Sequence, residues 1–241
     1  MRLGESRAPE GMRLYAIGDV HGCDAMLAEM HGRIADDLAQ RPVADHRIVH
    51  VGDYTDRGDD SAGVIERLVR MTAADHQVIC LKGNHDALFA GFLTDPAEHG
   101  PVWLSNGGDA TLRSYGVTPV RSLLGGFDYR RLSERLAEVL PAAHRSFLET
   151  LPLTARFGDY LFVHAGIRPG VPLESQDPED LIWIREDFLW DASNHGFVVV
   201  HGHTPVTAPE VRLNRIGIDT GAVYGGFLTC LVLEGSEYRF L

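Results

Sequence analysis

Cysteine is scarce. Cys23, Cys80 and Cys230 are the only three in 241 residues, an odd number, far apart and without Cys-x-x-Cys spacing. That excludes a disulfide framework and a thiolate zinc cage, and leaves each as a small packed side chain. Long apolar runs are lacking too: none approaches the roughly 20 residues a membrane helix needs, and residues 1–12 have no apolar core of a signal peptide. The chain is therefore expected in the cytoplasm. Positive charge is short, 22 Lys and Arg against 34 Asp and Glu, for a net charge of -12. Most of such a surface repels nucleic acid and anionic membranes, so neither is expected as a partner. Internal repeats and low-complexity tracts are absent.

The hydrophobic share of 44% and charged share of 23% suit an ordinary globular protein of one domain spanning 1–241, with residues 1–11 expected to be flexible. Twelve histidines stand out because several fall beside Gly and Asp at the ends of apolar runs.

Those runs recur. Leu14 to Ile17 precedes Gly18-Asp19, Ile48 to Val51 precedes Gly52-Asp53, and Val78 to Leu81 precedes Gly83-Asn84. Each reads as a buried strand. Between them, Met26, Leu27, Met30, Ile34 and Leu38, then Val64, Ile65, Leu68 and Val69, keep helical spacing. Strands and helices alternating at about thirty residues predict right-handed βαβ units and a parallel core, whose ligands gather beyond the carboxyl ends of the strands. Residues 87–156 lose this rhythm and are expected to form an inserted helical layer, including Leu132 to Leu140 and a helix with Pro141 in its first turn. Strands resume at Leu161 to Val163, Phe197 to Val200, Ile216 to Ile218 and Leu228 to Leu233, which predicts a second sheet packed on the first. Arg168 to Asp180, with three prolines, is expected to be a loop at the pocket rim.

Asp19 and His21, two apart in Gly-Asp-Val-His-Gly, can both reach one ion from a turn. Asp53, Asn84, His164 and His203 each follow a strand and add carboxylate, amide and imidazole to the same edge. Six mixed oxygen and nitrogen donors exceed a closed tetrahedral zinc site, so two ions sharing a carboxylate fit better. Manganese is put first, with iron or zinc open, while magnesium prefers oxygen. One Gly-Asp after a strand is commonly only a turn, and a lone histidine is commonly packed. Five such motifs at successive strand ends are hard to obtain that way.

Gly18-Asp-Val-His-Gly22, Gly52-Asp-Tyr-Thr-Asp-Arg-Gly58, Gly83-Asn-His-Asp86, His164-Ala-Gly and Gly202-His-Thr-Pro205 resemble the phosphoprotein phosphatases of the metallophosphoesterase superfamily, most closely the bacterial and phage branch. Trp103-Leu-Ser-Asn-Gly-Gly108, Ile182-Trp-Ile-Arg-Glu186 and Ile218-Asp-Thr-Gly-Ala-Val-Tyr224 extend the likeness over nearly the whole chain after Met12. The resemblance implies an α/β fold of two packed mixed sheets flanked by helices. It implies one ion on Asp19, His21 and Asp53, and another on Asp53, Asn84, His164 and His203, with Asp53 as the bridge.

The activity so implied is dephosphorylation of phosphoserine or phosphothreonine in a protein or peptide, with phosphotyrosine left open, by direct attack of a metal-bridging hydroxide. Two cations about 3.5–4 Å apart acidify water and clamp phosphoryl oxygens. His85, oriented by Asp56, would protonate the leaving alkoxide. Arg57 and Arg185, with Asn84, would hold the phosphate, guanidinium forks being suited to tetrahedral oxyanions. The plainer alternatives are a support role behind the ions for His85, a surface ion pair for Arg185, and packing for Tyr224.

Two positions depart from the family pattern: Thr55 replaces a branched aliphatic, and Asp86 replaces glutamate, which puts the contacts of the shorter carboxylate in doubt. His201 is read as lying behind the ligands or in the core. Nucleases of the superfamily carry Gly-His-x-His, where Pro205 stands here. Symmetrical dinucleoside polyphosphate hydrolases are a closer rival, but tend to lack the aspartate matching Asp56. A catalytically silent phosphate-binding module would have lost ligands, and none is missing.

Overall fold

Leu14, Tyr15, Ala16 and Ile17 are all fully buried, but they serve two apolar clusters in alternation: Leu14 and Ala16 join one, Tyr15 and Ile17 the other. A strand covered on both faces must divide its side chains in this way. This is β1 (Met12–Ile17) in the computed structural model, which describes residues 3–119 and 126–241. The part of the flexible-start expectation that concerns 1–2, and the part of the helical layer at 120–125, lie outside the described residues.

β1 pairs in parallel with β2 (Asp45–His50), and β2 with β3 (Val78–Cys80). The crossovers are α1 (Asp24–Gln40), which buries Leu27, Met30 and Ile34, and α2 (Ser61–Ala74), which buries Val64, Ile65 and Leu68. Asp60 caps α2 by accepting the Gly63 N–H at 2.8 Å. The chain then enters the helical layer: α3 (Asn84–Thr94), α4 (Pro96–Ser105), α5 (Gly108–Ser114), α6 (Tyr129–Val139) and α7 (Ala142–Thr150). Its centre is Trp103, fully buried, stacked on Phe89 at 5.2 Å and tilted against Phe92 at 4.5 Å. Pro141 takes the position just before α7 rather than its first turn.

The second sheet has the order β4 (Thr154–Phe157), β5 (Tyr160–Val163), β6 (Val198–His201), β8 (Arg215–Gly217), β7 (Glu210–Val211). Tyr160 and Phe162 face the cluster between the sheets, with Val49, Val51, Val198 and Val200. Leu161 and Val163 face outward onto Ile184 and Phe188. Two short helices supply that cover, α8 (Pro178–Trp183) and α9 (Glu186–Leu189).

Two expectations need correction. Arg168 to Asp180 is not wholly a loop: Asp177 accepts the Glu179 N–H at 3.0 Å and Pro178 opens α8, a helix start hidden among prolines. The run Leu228 to Leu233 does not join the second sheet. It forms β9 (Cys230–Glu234), antiparallel to β1 with Ile17 opposite Cys230, and β10 (Glu237–Phe240) extends the first sheet beyond it. Both sheets are thus mixed and five-stranded.

Residues 3–11 are tied to the body, with the Leu3 N–H on Leu213 O at 2.6 Å and the Ala8 N–H on Gly235 O at 2.8 Å. Among the described residues no helix is long and apolar enough to cross a membrane.

Candidate functional site

Five non-glycine residues among those described adopt positive φ: His21 (43°), Asp53 (55°), Asp56 (72°), Arg57 (69°) and His203 (66°). All five are residues the sequence nominates. Such backbone costs about 1–3 kcal/mol per residue and persists only where surroundings hold it. Here they do: the Val20 and His21 N–H groups donate to Asp53 O, at 3.1 and 2.9 Å, and the Asp86 carboxylate accepts the N–H of Asp53, Tyr54 and Gly83. The shorter Asp86 side chain therefore reaches its partners. Glycine is required at two close approaches, since a Cβ would lie 2.1 Å from Asp53 Oδ1 at Gly83 and 2.0 Å from Asp19 Oδ1 at Gly202.

The imidazoles have defined tautomers. His164 Nδ1 lies 3.0 Å from Val51 O and His21 Nδ1 2.8 Å from Thr55 O, so each carries its proton there and turns a bare Nε2 inward. His164 Nε2 then sits 2.9 Å from Asn84 Oδ1 and 3.4 Å from Asp53 Oδ1, and His21 Nε2 sits 3.4 Å from Asp53 Oδ2. His203 Nδ1 adds a third nitrogen, 2.8 Å from Asn84 Oδ1 and 3.2 Å from His164 Nε2, and its Nε2 is buried without a partner. With its proton on Val51 O, His164 has only a lone pair to turn to the Asn84 oxygen, an arrangement that a cation would relieve. Burial drives the His21 pKa down to about 3 and that of His203 to about 2, and lowers His164 as well. The neutral form, which is the ligating form, is thus held. Burial works to raise Asp53, but His164, His85, His21 and His203 outweigh it and keep the carboxyl well below its usual range.

Potential ligand atoms lie within 4.8 Å of one another in two groups, His21 with Asp53 and His85, and Asp53 with His164 and His203. Asp53 belongs to both, as a bridge must. The first group differs from the set the resemblance implies: Asp19 stands outside it. Its carboxylate accepts the His203 N–H at 3.0 and 3.2 Å, which still leaves lone pairs for an ion. Burial, then Asp219 and Asp53, hold its pKa well above the usual carboxylate value. The donor set as a whole, imidazole with carboxylate and amide oxygen, fits manganese, iron or zinc.

His85 and Asp56 form one unit. Nδ1 and Oδ2 are 2.7 Å apart and both residues are buried. Burial opposes the imidazolium, yet Asp53 and Asp56 outweigh it and raise the His85 pKa. Arg57 donates from Nη1 to His21 Nε2 at 2.6 Å and lies under the Tyr224 ring at 5.6 Å. Arg185 is more loosely placed, with Nη1 3.5 Å from Thr204 Oγ1 on the rim. Trp183 stands edge-on to His203 at 6.1 Å. His201 lies in the core against Phe188, with Nδ1 3.1 Å from Gly202 O.

Sequence reasoning gave no role to Asp219. It is buried and its pKa is raised to about 6, by burial first and by Asp53 as well. It stands two residues after β8, at a strand end like Asp53, but without the glycine that precedes Asp53. Trp103 and Thr111, whose side chains reach Asp56, had no comparable local signal.

The calcineurin-like phosphoesterase family model matches residues 12–226. The asymmetrical bis(5'-nucleosyl)-tetraphosphatase PrpE of Halalkalibacterium halodurans is 29% identical, over 94% of this chain and 92% of its own. Serine/threonine-protein phosphatase 1 of Salmonella typhimurium is 27% identical, over 90% of this chain and 89% of its own. Among solved structures, one provisionally assigned as a diadenosine tetraphosphatase superposes with a TM-score of 0.65 at 21% identity, over 98% of this chain and 97% of the other. That likeness shows the shared fold.

Proposed function

Because the chain belongs to the calcineurin-like phosphoesterases, a metal-dependent family that typically carries a dinuclear site, we propose that it hydrolyses phosphate monoesters with poor leaving groups. Phosphoserine and phosphothreonine in a protein or peptide are the substrates this reading puts first. The observation that carries it is the buried 2.7 Å contact between His85 Nδ1 and Asp56 Oδ2. An alkoxide is a strong base and departs slowly unless protonated, whereas a nucleotide leaves as a phosphate anion that needs no proton. A carboxylate committed to an imidazole is of most use against the first kind of bond.

Asp19, His21 and Asp53, adjoined by His85, would hold one ion, and Asp53, Asn84, His164 and His203 the other. Bound there, the pair neutralises phosphoryl charge and acidifies water. The protein's own groups do the rest. Arg57 and Arg185 receive the equatorial oxygens, with the buried Asn84, whose Oδ1 reaches both His164 and His203, as the third group that holds the phosphate. Asp56 holds the His85 Nδ1 proton and leaves Nε2 to deliver its own to the departing oxygen. The products are an alcohol and inorganic phosphate.

A second reading, hydrolysis of dinucleoside tetraphosphates, is favoured by the names of relatives at 29% and 27% identity that cover more than nine-tenths of this chain. Those relatives are named as asymmetrical enzymes, while the Asp56 distinction concerns the symmetrical ones. One panel decides: manganese-loaded protein on phosphoserine, phosphothreonine and phosphotyrosine peptides beside diadenosine tetraphosphate. Higher kcat/KM on the phosphoserine or phosphothreonine peptide supports the first reading. Preference for the dinucleotide overturns it.

A further inference from the structure

Trp103 and Thr111 belong to the helical layer, 47 and 55 residues from Asp56 in sequence, yet both end on its carboxylate. The Trp103 Nε1–H donates to Oδ1 at 3.0 Å and Oδ2 at 3.1 Å. The Thr111 hydroxyl donates to Oδ1 at 2.6 Å and accepts the Asp56 N–H at 2.8 Å, an N–H that Ser61 Oγ also receives at 3.1 Å. Trp103, Thr111 and Asp56 are all fully buried. The layer also reaches the next residue, since the Arg57 N–H donates to Gly107 O at 3.1 Å. A buried carboxylate held on Oδ1 by a hydroxyl and across both oxygens by an indole has one orientation left. That orientation turns Oδ2 to His85.

We propose that Trp103 and Thr111 are positioning residues for proton donation, fixing the Asp56 carboxylate so that His85 presents its Nε2 proton to the leaving oxygen. The proposal rests on the reading of His85 as the proton donor. In that step the phosphorus–oxygen bond to the leaving group breaks and its electron pair takes the Nε2 proton. One water supplies the hydroxyl to phosphorus and the proton that restores His85. The helical layer is then part of the acid, and the distance between it and Asp56 in sequence hides the fact. The polar side-chain contacts of both residues go to Asp56 and Ser61 rather than to a metal donor, so their effect must scale with how much the leaving group needs a proton.

The test uses manganese-loaded full chain with leaving groups of graded basicity: p-nitrophenyl phosphate, phenyl phosphate and a phosphoserine peptide. Thr111→Val is near-isosteric, and Trp103→Phe keeps the ring that stacks on Phe89 at an interplanar angle of 2°. Each variant is expected to lose about 10- to 100-fold in kcat on the phosphoserine peptide and less than about 3-fold on p-nitrophenyl phosphate, with KM within about 2-fold. Thr111→Ser, which keeps the hydroxyl, should restore the phosphoserine rate. Equal losses on all three substrates, or none on any, overturn the positioning role. His85→Asn separates the two claims: a steep dependence on leaving group there, with none in the Trp103 and Thr111 variants, sinks the positioning role alone. Wild-type dependence in His85→Asn sinks the donor reading and the positioning role together.

Discussion

The Asp86 carboxylate accepts the backbone N–H of Asp53 at 2.9 Å, so a side chain at the head of α3 fixes the left-handed residue in the turn that follows β2. The same carboxylate takes the N–H of Tyr54 and Gly83 and is completely buried. Burial and then Asp53 push its pKa up to about 7 against those three donors. Asp86→Ala would leave three buried N–H groups without a partner and release the strained Asp53 backbone. A loss of about 3 kcal/mol or more in urea unfolding is expected. A loss below about 1 kcal/mol would show that water replaces the carboxylate.

Asp53 offers one oxygen toward His21 and the other toward His164. Asp53→Asn should lower bound manganese and activity together, activity by at least about 100-fold. Metal content by mass spectrometry, measured beside turnover, checks this. Full metal retention would take the bridge away from Asp53. Chelation of the wild type should abolish turnover, and added manganese restore it.

His85 lies close enough to His21 and Asp53 to compete as a ligand. The donor role predicts that His85→Asn keeps its metal while kcat on the phosphoserine peptide falls by about 100- to 10,000-fold. Loss of an ion in that variant assigns His85 to the metal instead.

Thr55 Oγ1 is buried and has no hydrogen-bond partner. Thr55→Val exchanges that hydroxyl for a methyl of the same shape and leaves the Thr55 carbonyl on His21 Nδ1 in place. Stability should rise by about 1 kcal/mol, a few degrees in Tm. An unchanged or lower Tm contradicts it.

His31 and His50 share one hydrogen bond, Nε2 to Nε2 at 2.9 Å. Burial lowers their pKa values from 6.5 to about 4 and about 3. The unfolded chain therefore binds more protons below pH 6.5, and the stability present above that pH is lost as acidification proceeds toward pH 4. Between pH 7 and 4.5 the wild type should lose about 1 kcal/mol more than His31→Gln in urea unfolding. Equal losses would mean that the pair does not contribute.

The first sheet's parallel core was legible because apolar runs, turn glycines and helical spacing are local signals. β10 was not legible: Glu237 to Phe240 is largely exposed, and it pairs only because β9 returns beside β1. The metal donors were legible because Asp53, Asn84, His164 and His203 each follow a strand, and all but His164 come directly after a glycine. Asp219 follows a strand too, but without that glycine before it.

The residue types for metal, proton and phosphate stand in Asp19 to His21, in Asp53 to Arg57, in Asn84 and His85, and at His164 and His203, and strand ends impose that order on the chain itself. Which oxygen meets which nitrogen was decided in space. Asp19 turns to the His203 N–H, His85 comes within reach of His21, and Trp103 and Thr111 close on Asp56. The physical reason is range: backbone periodicity and turn preference act over a few residues, whereas a buried carboxylate must be satisfied by whatever donors the packing of distant layers brings to it.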